Sequence, residues 1–437
     1  MMNIRKLALD LLMKYEASET YINLALSSHS ADNLTKEERA RLTALLYTTV
    51  ERKLTYDYYI SAISGRGLNE IDPYTKNILR LGLCQILEMN SVPDFAAVNE
   101  SVKLARNKGE AGFVNALLRS VIRQKDCLPL PKEDKNYRRY LSVKYSFPLW
   151  IVKTLDKLYG REATEKLLIS FNENKYTDLT VNTMKTTADD LKRSLAECGI
   201  ETTPSVAPEY SVRIPGSVNP ERLPGFSEGH FFVQDSACVI SALALAPKAG
   251  DRVVDVCSCP GGKSFVSAIL MGDDGEIHSF DLHESKLSLI AEGVERLGLS
   301  SINIDCVDAT EGVEELFGKI DKVICDAPCS GLGVLAKKPD LRYKSEESVE
   351  ALPELQLNIL SRSAKYLREG GELLYSTCTL RREENEEVVE KFLECNPEFT
   401  KIDFNVGNIS SVDGMITLAP HVHNTDGFFM AKLKKTK

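Results

Sequence analysis

The chain has 437 residues, 43% hydrophobic and 27% charged, with a net charge of −9. That length exceeds one ordinary core and leaves room for two or three domains, and the composition excludes a disordered or fibrous protein. No apolar run is long enough to span a bilayer, the start Met1-Met2-Asn3-Ile4-Arg5-Lys6 lacks the apolar stretch of a signal peptide, and the eleven cysteines, odd in number and irregular in spacing, read as reduced cytoplasmic thiols rather than a disulfide framework. The charge is uneven. Residues 1–140 hold 21 Lys and Arg against 17 Asp and Glu, a balance of +4, and the rest holds 33 against 46, a balance of −13. The first third is thus able to offer a basic surface to a polyanion, although +4 is equally what an ordinary helical domain carries.

Residues 3–126 show helical periodicity only. Ile4, Leu7, Ala8, Leu11 and Leu12 recur at helical spacing, and Thr35-Lys36-Glu37-Glu38 is a capping-box start for a helix reaching Val50. A further apolar helix covers 74–87, and 98–122 holds two more with a break near Gly109-Glu110-Ala111-Gly112. Two prolines and a charged run make 127–137 a linker. Over 138–228, helices at 148–158, 162–171 and 187–198 mix with strands at 178–183 and 210–214, a small α+β domain. Over 229–437, strands at 252–257, 276–280, 302–307, 322–325 and 372–376 alternate with helices at 263–271, 285–297, 349–367 and 383–395, and a last strand covers 428–433. That alternation predicts an α/β doubly wound, Rossmann-like sheet of parallel strands.

In such a sheet, ligands bind beyond the carboxyl ends of the strands. The first strand runs into Cys257-Ser258-Cys259-Pro260-Gly261-Gly262-Lys263, where glycines allow close backbone approach and a helix start offers free N–H groups. Asp281, Asp308 and Asp326 end the next three strands, and Asp281 stands where an acid binds ribose hydroxyls. The loop is neither Gly-x-Gly-x-x-Gly nor a Walker A motif, which favours a nucleoside cofactor over a dinucleotide or a triphosphate. Two later strand ends carry thiols: Cys329 in Asp326-Ala327-Pro328-Cys329-Ser330-Gly331, and Cys378 in Tyr375-Ser376-Thr377-Cys378-Thr379, ahead of a charged helix start that favours a thiolate. Thiols beside a nucleoside cofactor point to a methyltransferase that attacks a pyrimidine through cysteine. Cys257 and Cys259 lack the companion ligands of a zinc site, so no metal is expected. Lys337, Lys338, Arg342 and Lys344 follow Cys329 as a basic run, either a hold on an RNA backbone or a solvated loop.

These stretches, together with Asp308-Ala309, Lys338-Pro339-Asp340 and Thr425-Asp426-Gly427-Phe428-Phe429, resemble the Nol1/Nop2/Sun family of RNA 5-methylcytosine methyltransferases over the last two hundred residues. Phe232-Val233-Gln234-Asp235 resembles that family's lead-in, and the first third, through Phe113-Val114-Asn115-Ala116-Leu117-Leu118-Arg119, resembles the NusB antitermination factor. The resemblance implies an all-α NusB-like RNA-binding domain over 1–126 and a class I methyltransferase domain over 229–437. It implies S-adenosyl-L-methionine over 257–263, with Asp281 on the ribose, Asp308 near the adenine and Asp326 at the methionine end. It gives Cys378 as the nucleophile on C6 of a cytosine, Cys329 as the group that assists release, and Lys263 with Asp326 as stabilisers of ring charge. A NusB-like domain in front of this catalytic domain further implies bacterial 16S ribosomal RNA as partner, protein-free or early in assembly, with the enzyme a cytoplasmic monomer away from membranes. The catalytic motifs alone leave tRNA open as substrate, and a degenerate, non-catalytic RNA-binding factor is the rival that the intact motifs oppose. Two departures are Cys259, where alanine is usual, and Thr180, where relatives often carry arginine.

Overall fold

The computed structural model describes residues 3–18, 34–173 and 176–437. The chain forms two compact units, Met1–Leu168 with Lys338–Lys344, and Ile169–Lys337 with Ser345–Lys437. No described helix is long and apolar enough to cross a membrane.

The first unit is helical: α1 Ile4–Ser18, α2 Lys36–Glu51, α3 Lys53–Ser64, α4 Pro73–Leu87, α5 Asp94–Val102, α6 Lys108–Arg123 and α7 Tyr137–Tyr145. The capping box forms as the sequence predicts, with Thr35 Oγ1 accepting the Glu38 N–H and the Glu38 carboxylate accepting the Thr35 N–H. α4 starts with Asp72 as cap and Pro73 in its first turn, and it is buried nearly all round, as a helix apolar on every face must be. Arg80, the cation in its middle, is matched by Asp57, which accepts at 2.6 and 2.8 Å, and by Glu16 at 2.6 Å. The break between α5 and α6 falls at 103–107 rather than at the glycines. Asn107 sets it by accepting the Glu110 N–H, and Gly109 and Gly112 lie inside α6.

The inserted segment Lys338–Lys344 packs within this helical unit. Pro339, Leu341 and Arg342 are buried there, the Arg342 guanidinium lies 3.9 Å from the Phe147 ring centre, and the Tyr343 hydroxyl donates to Val50 O at 2.8 Å. The expected basic run is therefore no single exposed surface: Arg342 is fully buried, Lys344 is half-buried, and Lys338 alone of the four is exposed. Its proline and leucine draw it into a core, which charge counting does not register. The next helix, α8 Leu149–Glu173, breaks at Gly160 (φ 77°), between the two helices the sequence predicts.

In the second unit β1 Tyr176–Val181 lies between β2 Ser211–Pro215 and β3 Phe231–Val233, antiparallel to both. α9 Ala188–Glu197 covers this small sheet through Leu191 and Leu195, which pack with Leu179, Val212 and Phe231.

The large sheet comprises β4 Arg252–Asp255, β5 Glu276–Asp281, β6 Ile302–Cys306, β7 Ile320–Asp326, β8 Leu367–Thr377, β9 Phe399–Lys401, β10 Met415–Leu418 and β11 Phe428–Lys435. Its order is β10-β11-β8-β7-β4-β5-β6, with β9 pairing the far part of β11. β4 to β8 are parallel; β11 runs antiparallel between β8 and β10. The sheet is thus mixed where parallel strands were expected, because the chain returns to β11 from the far side. Alternate residues feed two cores. Val253 and Ile324 pack with α10 Ser236–Leu245, α11 Gly262–Leu270 and α12 Glu284–Leu297. Val254, Val323 and Cys325 pack on the other face with α13 Leu352–Ala364 and α14 Glu386–Cys395. The register sets Asp255 beside Ser279 and Ile324, and Asp326 beside Ser376, which brings four strand ends to one edge.

Candidate active site

The loop after β4 is built from its own backbone. Ser258 donates its N–H and hydroxyl to Phe280 O at 2.8 and 3.0 Å, Gly261 N–H returns to Ser258 O at 2.6 Å, and the peptide between Cys259 and Pro260 is cis. Gly261 has a φ of 103°, and a Cβ there would sit 2.3 Å from the Phe265 ring; a Cβ on Gly262 would sit 2.4 Å from Gln234 Nε2. Both glycines are thus required by the protein's own packing, a reason the sequence reading did not contain. Asp281 receives the Cys259 N–H at 3.3 Å and the His283 N–H at 3.1 Å, which aims its carboxylate over the loop. Asp308 closes a turn on Thr310, accepting its N–H at 2.8 Å and its hydroxyl at 2.7 Å, and that hydroxyl bond leads the contacts holding the acid below its usual range.

Lys263 emerges from the first turn of α11 into a buried position, where its Nζ lies 2.5 Å from Asp326 Oδ2 and 5.3 Å from the centre of the Phe428 ring. Burial opposes the charge, but Asp326 outweighs it and holds the ammonium above its ordinary value. The other Asp326 oxygen accepts the Ser376 hydroxyl at 2.8 Å. Cys257 is packed away, and burial leads the causes that push its thiol well up. Cys259 is partly exposed and bonds weakly to Lys286 O at 3.7 Å.

Cys329 and Cys378 are brought together, with their Sγ atoms 3.1 Å apart. The Cys329 thiol sits well above its usual range because it hydrogen-bonds Cys378 and because it is buried. The residues that follow each thiol also join, Ser330 Oγ to Thr379 Oγ1 at 2.7 Å. Gly333 N–H donates to Cys378 O at 2.8 Å, and Gly427 N–H donates to Gly333 O at 2.8 Å. The regular helix begins only at Glu386, after a 3₁₀ turn at Arg382–Glu384, so Cys378 does not stand at a helix N-terminus as expected.

Several residues around the thiols take roles that their sequence context does not announce. Glu384 is fully buried and Asn385 nearly so; Asn385 accepts the Thr377 hydroxyl at 2.5 Å and donates to Thr379 O at 3.1 Å. Both stand in the charged run expected to open a helix after Cys378. Lys337, the first residue of the basic run, turns inward to Asp235 and, at 3.0 Å, to Asp426. Burial, then Asp235, pushes the Asp426 carboxyl up to about 7. The motif residues Gln234-Asp235 and Thr425-Asp426-Gly427 gave the only hint of this cluster. Among the described residues, no three or more His, Cys, Asp and Glu gather as a metal site.

A mixed sheet of this order, with a glycine loop after its first parallel strand and acids at the following strand ends, defines an α/β methyltransferase. Comparison with known proteins narrows the class. A family model described as 16S rRNA methyltransferase RsmB/F matches residues 242–434, the NusB family matches 2–123, and the RsmF/B-like ferredoxin-like domain matches 147–220. The probable ribosomal RNA small subunit methyltransferase B of Bacillus subtilis (strain 168) is 36% identical over 99% of this chain and 99% of its own. Its counterpart in Synechocystis sp. is 36% identical over 100% of both chains. The crystal structure of PH0851 aligns with 100% of this chain and 99% of its own at a TM-score of 0.80 and 26% identity. The chain belongs to the RsmB/F family of 16S rRNA methyltransferases.

Proposed function

We propose that the protein methylates C5 of a cytosine in 16S rRNA through a covalent adduct on Cys378. The observation that carries the reading is the thiol pair, 3.1 Å apart, beside the ion pair of buried Lys263 and half-buried Asp326. Cys378 as thiolate adds to C6, and the electron pair of the C5–C6 bond moves toward C5 and the ring's N3–O2 side. The Lys263 ammonium stabilises that charge, and Asp326, its partner, would accept from the 4-amino group of the cytosine. S-adenosyl-L-methionine supplies an electrophilic methyl group. Cys329 first gives its own proton to water and then, as thiolate, takes the C5 proton; the C5–C6 double bond re-forms and Cys378 leaves as thiolate, so one difficult substitution becomes two easier steps.

The donor set suits the cofactor. The Asp281 carboxylate, oriented by two backbone N–H groups, faces the loop of Cys257, Ser258, Cys259, Pro260, Gly261 and Gly262 and would take ribose hydroxyls, with Asp308 toward the adenine. Asp326 and Lys263 would then lie between the methyl donor and the base. C6 of a paired cytosine is inaccessible, so the substrate base must be unpaired or flipped. The names of the full-length relatives support small-subunit rRNA as the partner, and the enzyme would act in the cytoplasm as a monomer.

The test uses Cys378→Ala and Cys329→Ala with labelled S-adenosyl-L-methionine and protein-free 16S rRNA. Cys329→Ala should trap a protein–RNA adduct on denaturing gels, and Cys378→Ala should give neither adduct nor methylation. An adduct that survives in Cys378→Ala refutes the assignment.

A further inference from the structure

One buried carboxylate ties together the two loops that carry the thiols. Glu384 Oε2 accepts the Ser330 N–H at 2.8 Å, one residue after Cys329, and Gln356 Nε2 at 3.0 Å. The same Gln356 nitrogen donates to Pro328 O at 2.9 Å, one residue before Cys329. Glu384 is thus bound to both neighbours of Cys329, directly on one side and through one amide on the other. Its main-chain carbonyl accepts the Tyr375 hydroxyl at 2.7 Å, which fixes it to the strand leading to Cys378. Arg381 Nη1 lies 3.5 Å from Oε1. A carboxylate at zero exposure with two N–H donors on one oxygen and a guanidinium at the other is surrounded as an anion.

We propose that Glu384 is a positioning residue for the thiol pair: it holds the Cys329 loop against Cys378 and keeps the proton of the resting pair on Cys329, leaving Cys378 as the thiolate. The proposal rests on the reading of Cys378 as nucleophile and gives a reason why two neighbouring thiols take different parts. Two thiolates 3.1 Å apart repel, so one proton stays with the pair. The charged and titratable groups that act on Cys329 are Cys378, Glu384, Asp326 and Tyr375; Lys263 faces Asp326, and Arg381 faces Glu384. Glu384 bears on the Cys329 loop through its two nearest hydrogen bonds, so its charge penalises a thiolate there.

The test is alkylation of the full-length protein by iodoacetamide without RNA or cofactor, read by peptide mass mapping across pH, with melting temperatures alongside. In wild type the first alkyl group should fall on Cys378. In Glu384→Gln the preference for Cys378 over Cys329 should drop about tenfold, and in a Cys378→Ser background the Cys329 alkylation midpoint should fall by about one pH unit. Arg381→Gln leaves the anion less neutralised and should move the preference the other way. Loss of packing alone would loosen both thiols together. An unchanged preference in Glu384→Gln, or an equal change at both thiols, overturns the proposal; if Glu384→Gln does not fold, the direction seen in Arg381→Gln decides. Should the preference move as expected while the adduct forms on Cys329, the catalytic assignment fails and the effect of Glu384 on proton placement stands.

Discussion

Replacing Gly333 with alanine tests how tightly the backbone holds the thiols. A Cβ at this position would lie 1.8 Å from Gly427 O, 2.5 Å from Gly427 C and 2.8 Å from Cys378 O. Normal contact is about 3.5 Å, so the segments must part by roughly 1.7 Å. That separation breaks the two hydrogen bonds through Gly333, each 2.8 Å long. At about 1 kcal/mol per bond and about 1–3 kcal/mol for overpacking, the variant should lose roughly 3–5 kcal/mol of stability. Because Cys378 O is one of the displaced atoms, the thiol moves as well, and a misplacement of about 1 Å costs on the order of a hundredfold in rate. Urea unfolding gives the first quantity and single-turnover methyl transfer the second. A stability loss under about 1 kcal/mol with an unchanged rate would refute the reasoning.

Asp255 is buried at the end of β4, beneath the glycine loop, and burial pushes its carboxyl up to about 7. The folded state therefore keeps a proton that the unfolded chain releases near pH 4, and stability declines as pH rises from about 4 to 7, at most by about 4 kcal/mol. Asp255→Asn should flatten that decline and gain on wild type between pH 5 and 8 in thermal melts; parallel curves would contradict this. Lys337→Met leaves Asp235 and Asp426 facing one another, so it should cost about 2–4 kcal/mol at pH 8 and clearly less at pH 5.5, where Asp426 holds its proton. Equal losses at both pH values would show that Lys337 acts by packing alone. Arg80→Met leaves Asp57 without its cation in the helical core, while Glu16 keeps Lys53 and Asn77, and should lose about 3–5 kcal/mol in chemical denaturation, and Arg80→Lys, which lacks the fork that meets Asp57 twice, should recover less than half of that.

The parts of this protein legible in its sequence are those governed by local rules. The capping box at Thr35, the strands that deliver Asp281 and Asp326, and the loops around Cys257, Cys329 and Cys378 follow from periodicity, proline and glycine. α10 went unread because Ser236–Leu245 is apolar all round and has no period to detect. β3 is three residues long, and only its pairing with β1 makes it a strand. Strand direction was not legible either: nothing local in Phe428–Lys435 says that it enters from the opposite side. The misreadings share a cause. Lys337 and Arg342, and Glu384 whose burial the helix start does not reveal, are charged residues whose place is decided by distant partners, and a charge run looks the same whether it faces water or a buried counter-charge.

The inserted segment Lys338–Lys344 bears on how such an enzyme can be cut and recombined. A gene fragment starting at residue 169 would encode every strand of the large sheet and both Cys329 and Cys378, yet it would also carry seven residues whose native surroundings had been deleted. Pro339 and Leu341, ten and twelve residues after Cys329, would then lie bare in solution as a seed for aggregation. Exchange of the helical portion between relatives meets the same obstacle, since the seven residues have to travel with it although they are encoded in the other half of the gene. Inheritance of the two portions is therefore coupled by a stitch of the chain that belongs to one portion but is encoded within the other.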